Sequence, residues 1–333
     1  MILDGRSAEA IDEAARALAA GRLVAFPTET VYGLGADAGN DAAVAGIFAA
    51  KGRPSDHPLI VHLAPGGPGA ESLAHFARPL PPFAQQLVAR FWPGPLTLIV
   101  ERQPAVGAAA AGGQHTIGLR CPAHPVAQAL LAACAERGVA GVAGPSANRF
   151  GRVSPTTAQH VRQEFGDDML VLDGGACEVG IESTIVDCSR GAPVLLRPGA
   201  ITRAQIESVS GQALRDRHSL GMPDPRASGT LEAHYAPSAK LRLMDAKALQ
   251  TGLDLLGPNA ANIAVWSRNA VRSPSSRVLQ RRMPDDAAAA AQQLFAVLRA
   301  FDAEGVKLIW VEMPPADIAW EGVRDRLQRA SAG

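Results

Sequence analysis

Cysteine is scarce in this 333-residue chain: Cys121, Cys134, Cys177 and Cys188, with no C-x-x-C pair among them. Such spacing indicates neither a zinc site nor a disulfide framework. Long apolar runs are missing too. None reaches the roughly 18–20 residues that a membrane span needs, which excludes an integral membrane helix. The opening Met1-Ile2-Leu3-Asp4-Gly5-Arg6 lacks the basic segment and apolar stretch of a secretory signal, so a cytoplasmic protein of bacterial type is expected. Net charge is also absent, with 32 Lys+Arg against 32 Asp+Glu. That excludes a strongly basic nucleic-acid binder and leaves room for a local basic cleft. Lysine is the rarest of the charged types. Up to Ser238 there are 19 basic residues against 22 acidic ones, and 18 of the 19 are arginine. Lys51 stands alone there, and its isolation asks for a chemical reason.

What is present suits a globular protein with a real core: 47% apolar and 19% charged residues, in a length that predicts two domains. Ser7 reads as the N-cap of an amphipathic helix ending near Ala20, and Arg22–Phe26 as a short strand broken by Pro27. Asp41 is expected to cap a helix over Ala42–Lys51 that stops at Gly52 and Pro54. Further strands are predicted at Leu59–Leu63, Leu96–Val100, Thr116–Arg120, Val139–Ala143, Met169–Leu172, Thr184–Asp187 and Val194–Arg197. Helices fall at Ala70–Ala77, Pro82–Phe91, Val126–Arg137 and Thr157–Phe165. Strands outnumber helices, so an α/β domain with a mixed sheet is predicted. From Ser210 to about Ser238 the periodicity fades into a linker, longer than a simple connection needs. Beyond it, strands at Lys240–Met244, Asn262–Ser267, Arg277–Gln280 and Lys307–Glu312 alternate with helices near Ala246–Leu253, Asp285–Ala303 and Ile318–Ala330. That alternation predicts a small Rossmann-like parallel sheet. The expected division is a catalytic domain over 1–209, a linker or lid over 210–238 and a second domain over 239–333.

The chemistry-bearing residues cluster in the first domain. Pro27-Thr28-Glu29-Thr30-Val31-Tyr32-Gly33-Leu34-Gly35 reads as a strand end, a hydroxyl-rich turn and glycines that admit a close neighbour. Gly33-x-Gly35-x-x-Ala38 resembles a dinucleotide fingerprint only formally, since no acidic residue ends a following strand at the required distance. Lys51 and Arg53 sit at a helix end, where positive charge suits the macrodipole; the surrounding Gly and Pro also let such a loop hold two cations toward one polyanion. No Walker loop occurs. His57 and His62 are placed on opposite faces at a strand start and make a poor metal pair. Gly144-Pro145-Ser146-Ala147-Asn148 follows an apolar strand, where open α/β sheets form ligand crevices. Glu182-Ser183-Thr184-Ile185-Val186-Asp187 and Leu196-Arg197-Pro198-Gly199 add hydroxyls and an arginine. G-x-S-x-G is absent around Ser146 and Ser183, which argues against a hydrolase.

In order and in spacing, these segments together resemble the threonylcarbamoyl-AMP synthases, or YrdC-domain proteins. Lys51-x-Arg53 with Ser146-x-Asn148 matches the family's paired signature. The resemblance runs from about residue 7 to 208 and resumes at His234-Tyr235-Ala236-Pro237, which matches the close of the linker in the two-domain form. Ala227-Ser228-Gly229-Thr230 departs from the S-P-G-M usual in that linker. The resemblance implies a YrdC-like twisted mixed sheet with helices, followed by the Rossmann-like domain. It also implies a reaction: L-threonine, bicarbonate and ATP give threonylcarbamoyl-adenylate and pyrophosphate, for the N6-threonylcarbamoyladenosine modification at position 37 of tRNA.

By position, the resemblance puts Thr30, His62, Arg120, Gly144 and Ser183 around threonine. It puts Lys51, Arg53, His57, Thr116, Ser146, Asn148, Ser154, Arg197 and Tyr235 on the ATP side, with Lys51 and Arg53 as the catalytic cations. Arg120 is the expected fork for the amino acid's carboxylate. Lys51 is expected as a compact, mobile charge that follows the phosphates. Mg²⁺ is implied with ATP, held by phosphate oxygens and water, with no protein metal site. The implied partners beyond the substrates are the tRNA threonylcarbamoyl-transfer machinery and a weak direct contact with tRNA, with no membrane. The alternative reading is a non-catalytic RNA-binding module of YrdC type. The hydrogenase maturation factor with a similar domain would need acylphosphatase and zinc-finger segments ahead of residue 7.

Overall fold

The computed structural model describes residues 1–217, 226–229 and 234–333. The chain divides into two compact units, Met1–Phe150 with Pro155–Thr230, and Gly151–Ser154 with Leu231–Gly333. In the first, the strands are β1 (Ile2–Asp4), β2 (Val24–Phe26), β3 (Gly33–Asp37), β4 (Ile60–His62), β5 (Leu96–Glu101), β6 (Thr116–Arg120), β7 (Val142–Ala143), β8 (Leu170–Asp173), β9 (Thr184–Asp187), β10 (Val194–Arg197) and β11 (Arg215–Asp216). Its helices are α1 (Ala8–Ala19), α2 (Asp41–Lys51), α3 (Gly66–Phe76), α4 (Pro82–Phe91), α5 (Pro125–Ala135), α6 (Ala158–Phe165) and α7 (Arg203–Ser210). The strands join in one mixed sheet, ordered β1-β8-β2-β3-β7-β4-β6-β5-β9-β10-β11.

Local chemistry accounts for most boundaries. Ser7 caps α1 by accepting from the Ala10 amide. Asn40, not Asp41, caps α2, its Oδ1 accepting from Ala42 and Ala43 at 3.1 Å each. Asp41 is the first helical residue, where its charge still favours the macrodipole. Gly52 then ends α2 at φ 63°, in the left-handed region. The glycines after Tyr32 do not form an open loop. Gly33 and Gly35 lie in β3, paired antiparallel with β2. A Cβ at Gly35 would meet Phe26 at 3.0 Å and Val142 at 2.9 Å, so absence of a side chain serves close packing within the sheet. The start of the expected linker is structured as well, because α7 runs to Ser210 and β11 adds an edge strand parallel to β10. Of the linker, residues 218–225 and 230–233 lie outside the described residues.

The two faces of the sheet are covered unequally. One face packs Val61, Leu96, Leu98, Ile117, Leu119 and Val186 against α2, α4 and α7. On the other, α1 and α5 cover the part that carries Val24, Phe26, Val142, Leu170 and Leu172. Phe26 stands edge-on to His62 at 5.6 Å, and Val142 pairs with His62 across β7 and β4, so the same face continues over β4. There it carries Ile60, Ile99, Ile185, Val194 and Leu196, a cluster to which no described helix contributes. Among the described residues, Ala227 is the partly buried apolar side chain packed on it. This strip, which no described helix covers, holds the candidate site.

The second unit has four parallel strands, β12 (Lys240–Met244), β13 (Ile263–Ser267), β14 (Leu279–Arg282) and β15 (Leu308–Glu312), in the order β12-β15-β13-β14. Helices α8 (Ala246–Leu256), α9 (Ala287–Ala303) and α10 (Glu321–Ser331) alternate with them, in the α/β arrangement expected of this part of the chain. Among the described residues no helix is long and apolar enough to cross a membrane.

Candidate active site on the uncovered strip

The turn after β2 is fixed by a hydroxyl. Thr28 Oγ1 donates to the Val31 carbonyl at 2.6 Å and accepts from the Thr30 and Val31 amides at 3.2 Å. Its one hydrogen being used, the 2.8 Å contact between the Thr28 and Thr30 hydroxyls has Thr30 as donor. Thr30 Oγ1 in turn accepts from Arg120 Nη1 at 2.8 Å. Arg120 and His62 are register partners on parallel strands and share the uncovered face. Arg120 is 3% exposed, donates through Nε to the Gly94 carbonyl, and has Nη2 2.7 Å from Glu29 Oε1. That last contact is an ion pair without hydrogen-bond alignment, and neither Glu29 oxygen has a hydrogen-bond donor.

The arginine expected as an open fork for a substrate carboxylate therefore already faces a carboxylate. His62 is buried beside it, and burial together with the Arg120 charge pushes its pKa down to about 3, so the ring is neutral at physiological pH. Its Nδ1 has no hydrogen-bond partner. Gly144 makes room for the ring, since a Cβ there would lie 3.0 Å from His62 Nδ1.

Ser183, just before β9, joins this patch through Thr97. Their hydroxyls are 2.8 Å apart, and Thr97 precedes Leu98, which pairs with Leu119 next to Arg120. Arg197 clamps Ser183, with Nε and Nη2 on its carbonyl at 3.1 and 2.9 Å and Nη2 on its hydroxyl at 3.2 Å. Through Nη1, Arg197 also holds the Ser228 carbonyl at 2.9 Å. Two neighbouring contacts secure that segment. The Arg226 backbone amide donates to Gln114 Oε1 and its carbonyl accepts from Gln114 Nε2, and its guanidinium pairs with Asp56. Arg226–Gly229 thus lies across the uncovered strip.

The two halves of the paired signature interlock. Lys51 Nζ donates to the carbonyls of Ser146 and Asn148, and Lys51 is only 3% exposed. It is a pinned strut, not a loose charge following its ligand. Burial first, then the Arg53 charge, hold its pKa well below the usual lysine value, against the pull of Glu164 and Glu182. Arg53 donates to the Pro58 carbonyl at 3.1 Å and stacks over Phe150, whose edge also meets His57 at 5.5 Å. Burial and Arg53 push the His57 pKa down as well. The Ser146 segment is tied to the turn after β2, since Leu34 donates to Pro145 and Ala147 to Tyr32.

Thr30, His62, Arg120, Gly144 and Ser183 are therefore contiguous, and Lys51, Arg53, His57, Ser146 and Asn148 form a second group. Arg197 adjoins the first group through Ser183. Thr116 shares the face of Arg120 but begins β6, about 13 Å up the strand. It opens onto a polar cleft with Arg78, Glu101, Arg102, His115 and Ser189. Ser154 and Tyr235 fall in the second unit. There Arg299 holds the Ser154 carbonyl, and Tyr235, at φ 61°, has its ring against Phe295 and under Arg326. Sequence reasoning passed over Glu29, Thr97, Gln114 and Phe150. Glu29 had a signal, as an acid inside the hydroxyl-rich turn; the others act through tertiary contacts that no local pattern carries.

A Sua5/YciO/YrdC family model, described as telomere recombination, matches residues 16–199, and a threonylcarbamoyl-AMP synthase C-terminal domain model matches 201–332. Threonylcarbamoyl-AMP synthase of Bacillus subtilis is 38% identical, covering 97% of this chain and 93% of that protein. Two Pyrococcus abyssi Sua5 crystal or variant structures are similar over nearly all of both chains. A double-alanine variant aligns at TM-score 0.88 with 34% identity, over 100% of this chain and 96% of that one. The complex with L-threonine aligns at 0.85 with 36% identity, over 97% and 94%.

Proposed function

Because the chain belongs to the Sua5/YciO/YrdC family and continues into a threonylcarbamoyl-AMP synthase C-terminal domain, we propose that it is an ATP-dependent nucleotidyltransferase. It joins L-threonine, bicarbonate and ATP into threonylcarbamoyl-AMP and pyrophosphate, and its product supplies the N6-threonylcarbamoyladenosine modification of tRNA. The observation that carries the reading is a pair of buried arginines on one uncovered face, each bound to a hydroxyl: Arg120 on Thr30 and Arg197 on Ser183. Two anions must meet here, an amino-acid carbamate and a triphosphate, and fixed cations answer that need.

Threonine's amine and bicarbonate form a carbamate, whose oxygen attacks the α-phosphorus as pyrophosphate leaves. Such a transfer asks the protein for positioning and charge neutralisation more than for covalent chemistry. Arg120, Thr30, neutral His62 and Ser183 are the proposed threonine contacts. Arg53, His57, Ser146, Asn148 and Arg197 are the proposed ATP contacts, with Lys51 holding the Ser146–Asn148 segment in place. Arg226–Gly229 is the proposed cover, which shields the mixed anhydride from water. Mg²⁺ is proposed to enter with ATP, held by phosphate oxygens and water.

The test is pyrophosphate release from ATP with threonine and bicarbonate omitted in turn. Release that requires both supports the reading. Release that continues without threonine overturns it.

A further inference from the structure

Glu29 is a carboxylate in a place that a carboxylate substrate is proposed to enter. It is 6% exposed, its oxygens accept no hydrogen bond, and Arg120 Nη2 lies 2.7 Å from Oε1. The same guanidinium donates through Nη1 to Thr30 and through Nε to Gly94. One cation cannot satisfy two carboxylates as well as it satisfies one, so an incoming amino-acid carboxylate competes with Glu29 for Arg120. An α-amino acid brings the remedy with it, because its ammonium lies next to its carboxylate.

We propose that Glu29 receives the ammonium of the bound amino acid and takes the proton that this group must lose before its nitrogen can react. The assignment rests on the synthase reading given above. The steps balance. The ammonium passes one proton to the Glu29 carboxylate, leaving a neutral amine and a carboxylic acid. The amine's lone pair then forms a bond to the carbon of bicarbonate, and a carbon–oxygen bond to its hydroxyl breaks. The hydroxyl leaves with a second amine proton as water, and the carbamate carries the single negative charge.

Competition for Arg120 makes this acceptor substrate-dependent. With no substrate, Arg120 Nη2 faces Glu29 Oε1. A substrate carboxylate that draws on Arg120 leaves the Glu29 oxygens, which accept no hydrogen bond, to the ammonium beside it. Three titratable neighbours of Glu29 keep their uncharged forms near neutral pH. Burial pushes the Cys121 thiol up to about 11 and the Cys177 thiol further up, and it pushes the His124 pKa down. His62, against Arg120, is neutral for the reason already given.

Glu29→Gln keeps the shape and removes the proton acceptor. Losing a general base of this kind lowers turnover by about 10²- to 10⁴-fold. With saturating substrates, kcat of the variant should fall at least about 100-fold at pH 7.5. It should then climb about tenfold per pH unit as free amine becomes available from solution, while the wild-type profile stays flatter. Glu29→Asp should recover part of the loss. If the Gln variant runs within about threefold of wild type with the same pH profile, Glu29 is only the counter-ion of Arg120.

A measurement on wild type alone covers failure of the variant to fold. L-threonine should bind at least about tenfold more tightly than the hydroxy acid in which a hydroxyl replaces the amine, because that analogue leaves two carboxylates on one arginine. Equal binding overturns the proposal. Wild type that binds threonine with this preference yet forms no threonylcarbamoyl-AMP would instead count against the synthase reading and leave Glu29 as the ammonium site.

Discussion

Lys51→Met separates the strut from its charge, since methionine keeps an unbranched stem and removes the ammonium. The two acceptors it leaves, the carbonyls of Ser146 and Asn148, belong to residues packed beside the turn after β2. The Ser146 carbonyl keeps the Asn148 amide as a donor at 3.0 Å, so the cost is that of the hydrogen bonds lost from a charged donor, about 1.5–3 kcal/mol each. Against that stands relief from burying a charge, which the lowered Lys51 pKa shows to be unfavourable. The net loss should be about 2–3 kcal/mol at pH 7, or roughly 4–12 °C in Tm for a protein of this size. Turnover should fall further, by about 10²- to 10³-fold, because the Ser146–Asn148 segment loses its anchor.

The pH dependence carries the sign of the same argument. The folded state gives up the Lys51 proton at a lower pH than the unfolded chain does. Wild type should therefore gain stability relative to Lys51→Met as pH rises from the depressed pKa toward 10.5. Thermal and urea unfolding between pH 7 and 10, with turnover measured alongside, decide the matter. A variant with wild-type Tm and normal turnover refutes the strut. One with wild-type Tm and lost turnover returns Lys51 to the role of a charge acting on ATP.

Gly144→Ala places a Cβ 3.0 Å from His62 Nδ1 and 3.3 Å from Phe26, so the ring must shift; the KM for threonine should rise about tenfold while Tm changes little, as steady-state kinetics and a melt will show. His62 has a folded pKa of about 3 against 6.5 in the unfolded chain, so its stabilising contribution is lost as pH falls through that interval. Between pH 6.5 and 4 wild type should lose about 3 kcal/mol more than His62→Gln in urea unfolding. Valine should be rejected more sharply than serine, because a pocket that hydrogen-bonds a hydroxyl penalises its absence while a lost methyl costs only about 1–3 kcal/mol. Catalytic efficiencies for the three amino acids check this, and valine outperforming serine would contradict it.

Local rules made much of the fold readable. Ser7 and Thr157 cap their helices through their own hydroxyls, and Thr116–Arg120 and Pro82–Phe91 fall where their patterns predict. In the second unit β12, β13 and β15 were legible from alternation, whereas β14 runs Leu279–Arg282, two residues beyond the expected Arg277–Gln280. β3 was not legible, because Gly33 and Gly35 have little strand propensity and are held there by Phe26, Val24 and Val142, contacts made by other elements. β11 was missed for a related reason: two exposed residues, Arg215 and Asp216, carry no apolar alternation and owe their conformation to β10.

At the candidate site, residue types were legible and partners were not. Lys51 stood out as the lone lysine of its part of the chain, yet the carbonyls it holds lie 95 and 97 residues away. Arg120 stood out as an arginine ending a strand, and nothing local says that Glu29 occupies its fork.

The central claim is that this chain builds an adenylate from three named substrates, and labelled bicarbonate tests it most directly. Wild type incubated with ATP, L-threonine and carbon-labelled bicarbonate should form an adenylate carrying both the label and the threonine mass, together with pyrophosphate. Omitting any one substrate should abolish it. A labelled product that forms without threonine, or an adenylate of threonine that carries no label from bicarbonate, would contradict the account.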